Sequence, residues 1–288
     1  MLGIFYGKGY TLSQKFGRMA LGALLFTGSV FAETITGGGY SANDLGAFNF
    51  LDISSSGTKI LDPTNGSLDD ASAVANIGFS FNFFGNLYSQ VNVSTNGLLS
   101  FNGVNTDWVN QDLTTSVTSG DLPSIAGYWD DLVLYQSIPN AGIFVQTTGT
   151  TGNRVFTVQW HKAGFIDDPT DGSGLEYEIQ LFEATGRILM QYQSTSGAVT
   201  QADAASATIG IRNTGAPANG QVLQWLANGT GGGGIGRPTT GLGVLVQDVT
   251  PSNTITFDPI SDAPEPASIA LFGLGLAAIG VLRLRKRK

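Results

Sequence analysis

Short apolar runs of period two, separated by glycine-bearing turn pairs, constrain this chain more than any other feature. Phe79, Phe81 and Phe83 alternate with Ser80 and Asn82, and Val91 and Val93 alternate with Asn92 and Ser94. Phe156, Val158 and Trp160 alternate with Thr157 and Gln159, and Tyr177, Ile179 and Leu181 alternate with Glu178 and Gln180. Ile188, Met190 and Tyr192 follow, then Ile209 with Ile211, Val244 with Val246, and Ile255 with Phe257. Successive side chains of a strand point to opposite faces, so this pattern buries one face of each run. Asn-Gly occurs at residues 65–66, 96–97, 102–103, 219–220 and 228–229, and Asp-Gly at 171–172. Such pairs supply the positive φ values of tight hairpins. No long helical periodicity competes in the body. Many short strands at regular spacing predict an all-β chain, specifically a β-sandwich ectodomain.

The two ends break this pattern. Lys8, Lys15 and Arg18 precede an uncharged apolar stretch from Met19 to Val30, which closes on Val30-Phe31-Ala32. The stretch is shorter than the ~17 residues a spanning helix needs, and reads as a secretory signal peptide over 1–32. Cleavage is expected after Ala32, leaving Glu33 as the first mature residue. At the other end Pro264-Glu265-Pro266 precedes the uncharged run Ala267 to Leu282, and five of the last six residues are basic. At about 1.5 Å per residue the run spans about 24 Å, the length of a marginal transmembrane helix over 267–282. The basic tail is expected to stay cytoplasmic while the body is exported. Residues 33–263 are then the ectodomain.

Composition narrows the function. Cysteine is absent and histidine occurs once, at His161. A disulfide framework, a thiolate-ligated metal, a cysteine nucleophile and any device with two histidines are excluded. All 22 acidic residues fall between Glu33 and Glu265, where only six basic residues stand. Such a surface disfavours nucleic acid, whose phosphates attract basic partners. The glycine run 231–234 lacks the Lys-Ser/Thr of a phosphate-binding loop and reads as a flexible loop.

Pro264-Glu265-Pro266, the short apolar run and the basic terminus together resemble the PEP-CTERM sorting signal of Gram-negative bacteria. That resemblance implies an exosortase-type processing enzyme as partner, reading residues 264–266, and an association with exopolysaccharide or biofilm matrix. A second resemblance lies in the body. Its parts run in order from Ile77-Gly78-Phe79-Ser80-Phe81, through Val91-Asn92-Val93-Ser94-Thr95-Asn96-Gly97 and Gly127-Tyr128-Trp129-Asp130-Asp131-Leu132. They continue through Arg154-Val155-Phe156-Thr157-Val158-Gln159-Trp160 and Glu178-Ile179-Gln180-Leu181 to Thr208-Ile209-Gly210-Ile211. This order resembles the nidogen-like (NIDO) extracellular domain over about 69–212. It implies a β-rich adhesion or matrix module.

Several residues could carry chemistry. Asp130 and Asp131 could bind a hard cation, or close a turn through backbone N–H groups, which is the favoured reading. Asp167, Asp168 and Asp171, with Gly172 and Glu178, echo a calcium loop, but Pro169 offers no ligand at the third position. A polar hairpin is preferred there, with a weak calcium site as the alternative. Glu176, Glu178 and Glu183 could supply a glycosidase pair, which needs a set separation across a cleft. Their alternation instead suggests solubilising outer-face positions. His161 shares a face with Thr157 and Gln159 and is expected to meet solvent. Among the aromatic residues, Trp129 and Trp160 are expected in the core, and Trp108 is the exposed candidate for stacking on sugars.

The resulting expectation is an exported, non-enzymatic surface or matrix protein with no cofactor. A calcium-assisted polysaccharide-binding module and a carbohydrate-active enzyme with an acidic cleft are the alternatives.

Overall fold

The computed structural model describes residues 34–115, 120–166, 174–195, 204, 206–227, 229–230, 233–234 and 252–260. The chain divides into two units, 1–31 and 32–288, and the described residues all lie in the second. Among them no helix is long and apolar enough to cross a membrane. The expected signal peptide, the helix 267–282 and the basic tail lie outside the described residues.

In chain order the strands are β1 (Thr34–Gly37), β2 (Tyr40–Asn43), β3 (Thr58–Leu61), β4 (Leu68–Asp69), β5 (Ser72–Phe83) and β6 (Asn86–Ser94). Then come β7 (Leu98–Ser100), β8 (Ser124–Trp129), β9 (Leu132–Leu134), β10 (Gly142–Thr148), β11 (Val155–Phe165) and β12 (Leu175–Phe182). The last six are β13 (Ile188–Ser194), β14 (Thr208–Arg212), β15 (Val222–Ala227), β16 (Gly229–Thr230), β17 (Gly233–Gly234) and β18 (Asn253–Pro259). The larger sheet runs β1-β2-β18-β13-β12-β11-β10-β3, with β9 on β11 and β4 on β9. The second runs β15-β14-β8-β7-β6-β5, and β16 with β17 forms a separate ribbon whose second strand falls in the glycine run read as a loop. All the described pairings are antiparallel.

The alternating residues are what join the sheets. Phe79, Phe81 and Phe83 on β5, Val91 and Val93 on β6, and Trp160, Tyr177, Ile179 and Tyr192 on the larger sheet are buried in one cluster. Trp160 stacks on Tyr177 with ring centroids 4.7 Å apart and planes within 10°. Two of the buried polar tips find a backbone partner in the opposite sheet, while the buried Tyr177 hydroxyl has none. The Trp160 indole donates to Ser94 O at 3.0 Å, and the Tyr192 hydroxyl donates to Gly127 O at 2.7 Å. Interdigitated apolar faces satisfied this way make a sandwich core.

The turn chemistry is partly other than expected. Asn96-Gly97 does join β6 to β7. Asn65-Gly66 instead ends a short 3-10 helix, Pro63–Asn65, and Asn102-Gly103 and Asn219-Gly220 stand in longer loops. The two-residue hairpins use Gly38-Gly39 and Phe84-Gly85, all four at positive φ. Glycine at the second position is the common element, because it alone takes that backbone without a side-chain penalty.

Candidate functional site

Two polar constellations are built into the sandwich. The first lies on the outer face of the larger sheet. Gln159, Glu178, Gln191 and Thr254 are successive cross-strand partners on β11, β12, β13 and β18. They form one row across four strands. Solvent was the expectation for this face, yet Thr157, Gln159 and Glu178 are fully buried. The residues between β2 and β3 cover it. The backbone N–H of Asn49 donates to Gln191 Oε1 at 2.6 Å, that of Leu51 to Glu178 Oε1 at 3.1 Å, and that of Ile53 to Gln159 Oε1 at 2.7 Å. Alternate N–H groups of one extended strap thus find successive side chains of the row. Gly46 packs so closely on Thr254 that a Cβ there would come within 2.7 Å of its methyl.

The electrostatics follow from this cover. Burial pushes the Glu178 carboxyl up to about 8, against the opposing pull of hydrogen bonds from Leu51, Gln191 and Gln180. All three donors reach Oε1, while the buried Oε2 has no partner. Such an arrangement favours the neutral acid. Glu176, two residues along the same face, adds a smaller upward push. Glu176 itself meets the His161 ring, 2.8 Å from Nδ1, and accepts from the Gln159 amide. His161 is therefore a half-buried partner of Glu176 and not the solvent-facing residue expected. Asp52 of the strap accepts from the same Gln159 amide at 3.1 Å.

The second constellation is the corner where the two most distinctive sequence stretches meet. Asn96 is fully buried, and its carbonyl accepts from Leu132 N at 2.9 Å. Its amide donates to Asp70 Oδ1 at 2.7 Å and to Thr106 O at 3.0 Å. Asp130 caps the β8–β9 turn, accepting from Asp131 N at 2.9 Å and from the Ser206 hydroxyl. The corner thus pins β6, β8 and β9 to one another. Asn96→Ala removes three hydrogen bonds and leaves the buried Leu132 N–H unpaired. A loss of about 3 kcal/mol is expected, read by urea denaturation.

The predicted site residues fall in different places. Trp108 stands in the loop before Asn110 and is 44% exposed, whereas Trp129, Trp160 and Trp225 are buried. Glu183 is on neither the acidic row nor the corner; it grips Arg154, 2.5 Å from Nη2 and 2.8 Å from Nε. The Arg154 guanidinium holds its carboxyl down to about 2. The three glutamates are thus all engaged within the fold, and the outer-face solubilising role does not describe them. Among the described residues no group of three or more His, Cys, Asp or Glu is arranged to hold a metal ion. Asp167, Asp168 and Asp171, the processing residues Ala32 and Glu33, and Pro264, Glu265 and Pro266 lie outside the described residues. Chelator is expected to leave the melting temperature unchanged in calorimetry. A downward shift would show a bound ion that stabilises the fold.

Sequence reasoning missed the strap-bound row because its residues alternate as an outward face should. One signal was present: that face offers Thr157, Gln159, Gln180 and Gln191 where solvent-facing strands usually carry Lys or Glu.

Comparison with known proteins bears on the whole body. The family model described as NIDO related matches residues 39–231, and that of the PEP-CTERM protein-sorting motif matches residues 262–288. No curated protein and no solved structure matches the chain. The first match runs from the β1–β2 turn into the β16–β17 ribbon, wider than the 69–212 core expected from the motifs. The second marks an exported protein sorted by an exosortase. With two thirds of its length matched, the chain belongs to the NIDO-related family and ends in a PEP-CTERM sorting motif.

Proposed function

We propose that the protein is a structural or adhesion component of the cell surface or extracellular matrix, associated with exopolysaccharide or biofilm material and working without catalysis. The observation that carries this reading is the pairing of a NIDO-related sandwich with a PEP-CTERM motif in one chain. In this reading the signal peptide exports the body, the C-terminal helix holds it in the inner membrane with the basic tail cytoplasmic, and exosortase processing releases it. The engagement of these acids within the fold supports a scaffold more than an enzyme. Glu178 is sealed under a backbone strap, and Glu183 is committed to Arg154.

The test is partition in a biofilm-forming host with an exosortase. The full chain is expected in the matrix fraction, co-sedimenting with purified extracellular polysaccharide. A chain lacking 264–288 is expected to leave that fraction. Equal distribution of the two would contradict the sorting role, and hydrolysis of the polysaccharide by the purified chain would contradict the non-catalytic one.

A further inference from the structure

One end of the sandwich carries a cleft that neither polar constellation uses. Its volume is about 620 Å³, within the range of small-ligand sites, ~300–1,000 Å³. Three hairpin turns converge on it: Gly38-Gly39, Phe84-Gly85 and the β12–β13 turn around Thr185. Asn82, Gln221, Pro259 at the end of β18 and Ile260 just after it complete the wall.

Two aromatic residues line the wall, the buried Tyr40 and the more accessible Phe84, and Phe84 is held in an unusual way. Phe84 has φ +48°, in the left-handed region that a bulky side chain rarely occupies. It stands at the first central position of a two-residue hairpin whose second is Gly85, where asparagine is the favoured residue. The turn therefore keeps a strained phenylalanine in place of an unstrained choice, and such strain concentrates at functional sites. The ring is propped edge-on against Tyr40, centroids 5.0 Å apart, and against Phe83 at 4.6 Å. Phe84 remains half-buried and lines the cleft, beside a half-exposed Ile260.

The remaining chemistry is polar and uncharged. Glu183 is the one acidic side chain in the wall, and Arg154 already neutralises it through two hydrogen bonds. The amides of Asn82 and Gln221 and the Thr185 hydroxyl remain, their oxygens already accepting from Gly85 N, the Asn213 amide and Arg187 N, together with backbone groups at glycine turns. Gly39 and Gly85 leave open space where a Cβ would stand, so a ligand can approach the backbone there. An anion meets no cation in this wall, and a cation finds its carboxylate occupied. An apolar ligand would cover amides that need partners. A polyhydroxylated neutral ring suits all of it: its C–H face can lie on the Phe84 ring, and its hydroxyls can donate to and accept from amides.

We infer that this turn-lined cleft at the Phe84 end of the sandwich binds a neutral hexose-based oligosaccharide. The inference rests on the matrix reading above and places the contact at a defined site. Binding is weak and local, as one aromatic platform implies, and repeated units along a polymer would raise the retention through multivalency.

The test uses the full chain in mild detergent, titrated calorimetrically with maltohexaose, cellohexaose, laminarihexaose and mannohexaose, and with hexagalacturonate as the charged comparison. At least one neutral hexamer is expected to bind, and hexagalacturonate is not. Phe84→Asn is expected to weaken that binding at least 10-fold while the melting temperature holds or rises, because asparagine suits the turn. Gly39→Asn fills the open space beside the cleft from a second turn, tolerates positive φ, and is expected to weaken it likewise. Failure of every neutral hexamer, stronger binding of hexagalacturonate, or unchanged binding in both variants would overturn the inference. If the Phe84→Asn chain loses the hexamers yet still co-sediments with whole polysaccharide, the site stands and the polymer has further contacts. If the wild type binds hexamers but never enters the matrix fraction, the matrix reading fails alone.

Discussion

Replacing Glu178 by glutamine is expected to flatten the pH dependence of stability. In the wild type the folded-state carboxyl is raised from 4.5 to about 8 by burial under the strap. Between those values the folded protein holds a proton that the unfolded chain has released. Stability contributed by the neutral acid is therefore fully present below about pH 4.5 and lost as pH rises toward 8. A tenfold change in proton affinity is about 1.4 kcal/mol, so the loss across this window is on the order of 4 kcal/mol. Glutamine keeps the carbonyl that accepts from Leu51, Gln180 and Gln191, and cannot ionise. Urea denaturation from pH 5 to pH 8.5 should give a falling curve for the wild type and a flatter one for E178Q, with E178Q the more stable at pH 8.5. Glu176, Asp52 and His161 face the same region, and they are unchanged in both proteins, so the difference isolates Glu178. Parallel curves would remove the buried acid from this account.

The second large effect is expected at Gly97. Its φ is +77°, and a Cβ there would lie 2.0 Å from the backbone oxygen of Tyr128. No flexible side chain can yield, because the obstacle is β8 itself. Gly97 O also accepts from Gly127 N at 2.9 Å, so the turn cannot withdraw without breaking the β6–β8 corner. Gly97→Val should cost about 5 kcal/mol or more, enough to unfold most domains of marginal stability. Circular dichroism should show loss of the cooperative melt. The control is Gly220→Ala, whose Cβ would meet nothing within 4 Å. It carries only the backbone strain of a positive φ, and should fold with a loss of about 1 kcal/mol.

The contrast between those two glycines shows what was legible in the sequence. The apolar alternation of Phe79, Phe81 and Phe83, and of Tyr177, Ile179 and Leu181, reported the inward face correctly, because period two is a property of the strand itself. Asn96-Gly97 reported a turn for the same local reason. The backbone lying against Gly97 belongs to a strand some thirty residues further along, and local spacing carries no record of it. The strap is the stronger case. Glu178 alternates with apolar residues as an exposed glutamate would, and only the crossing of residues 49–53 over the sheet makes it a buried acid. Polar faces covered by non-strand segments are invisible to periodicity, which senses one element at a time. The cleft was hidden for a related reason. Gly39, Phe84 and Thr185 are far apart in the chain, and local spacing does not mark Phe84 as a positive-φ residue. Trp108, chosen for its polar neighbours, is indeed half exposed, yet it stands in another loop and does not line the cleft.

The order of motifs proved more informative than any single one. Strand and turn residues are individually common, but Asn96 and Asp130 are distant stretches that build one corner through Leu132, Asp70 and Ser206.

The central claim is that this sandwich works outside the cell after sorting through its C-terminal motif. Its most direct measurement is intact mass of the protein recovered from each fraction of an exosortase-bearing host. The account predicts a surface or matrix species that begins at Glu33 and has lost the apolar run and basic tail beyond Pro266. Recovery of the unprocessed 30.1 kDa chain from the cytoplasm alone would contradict it.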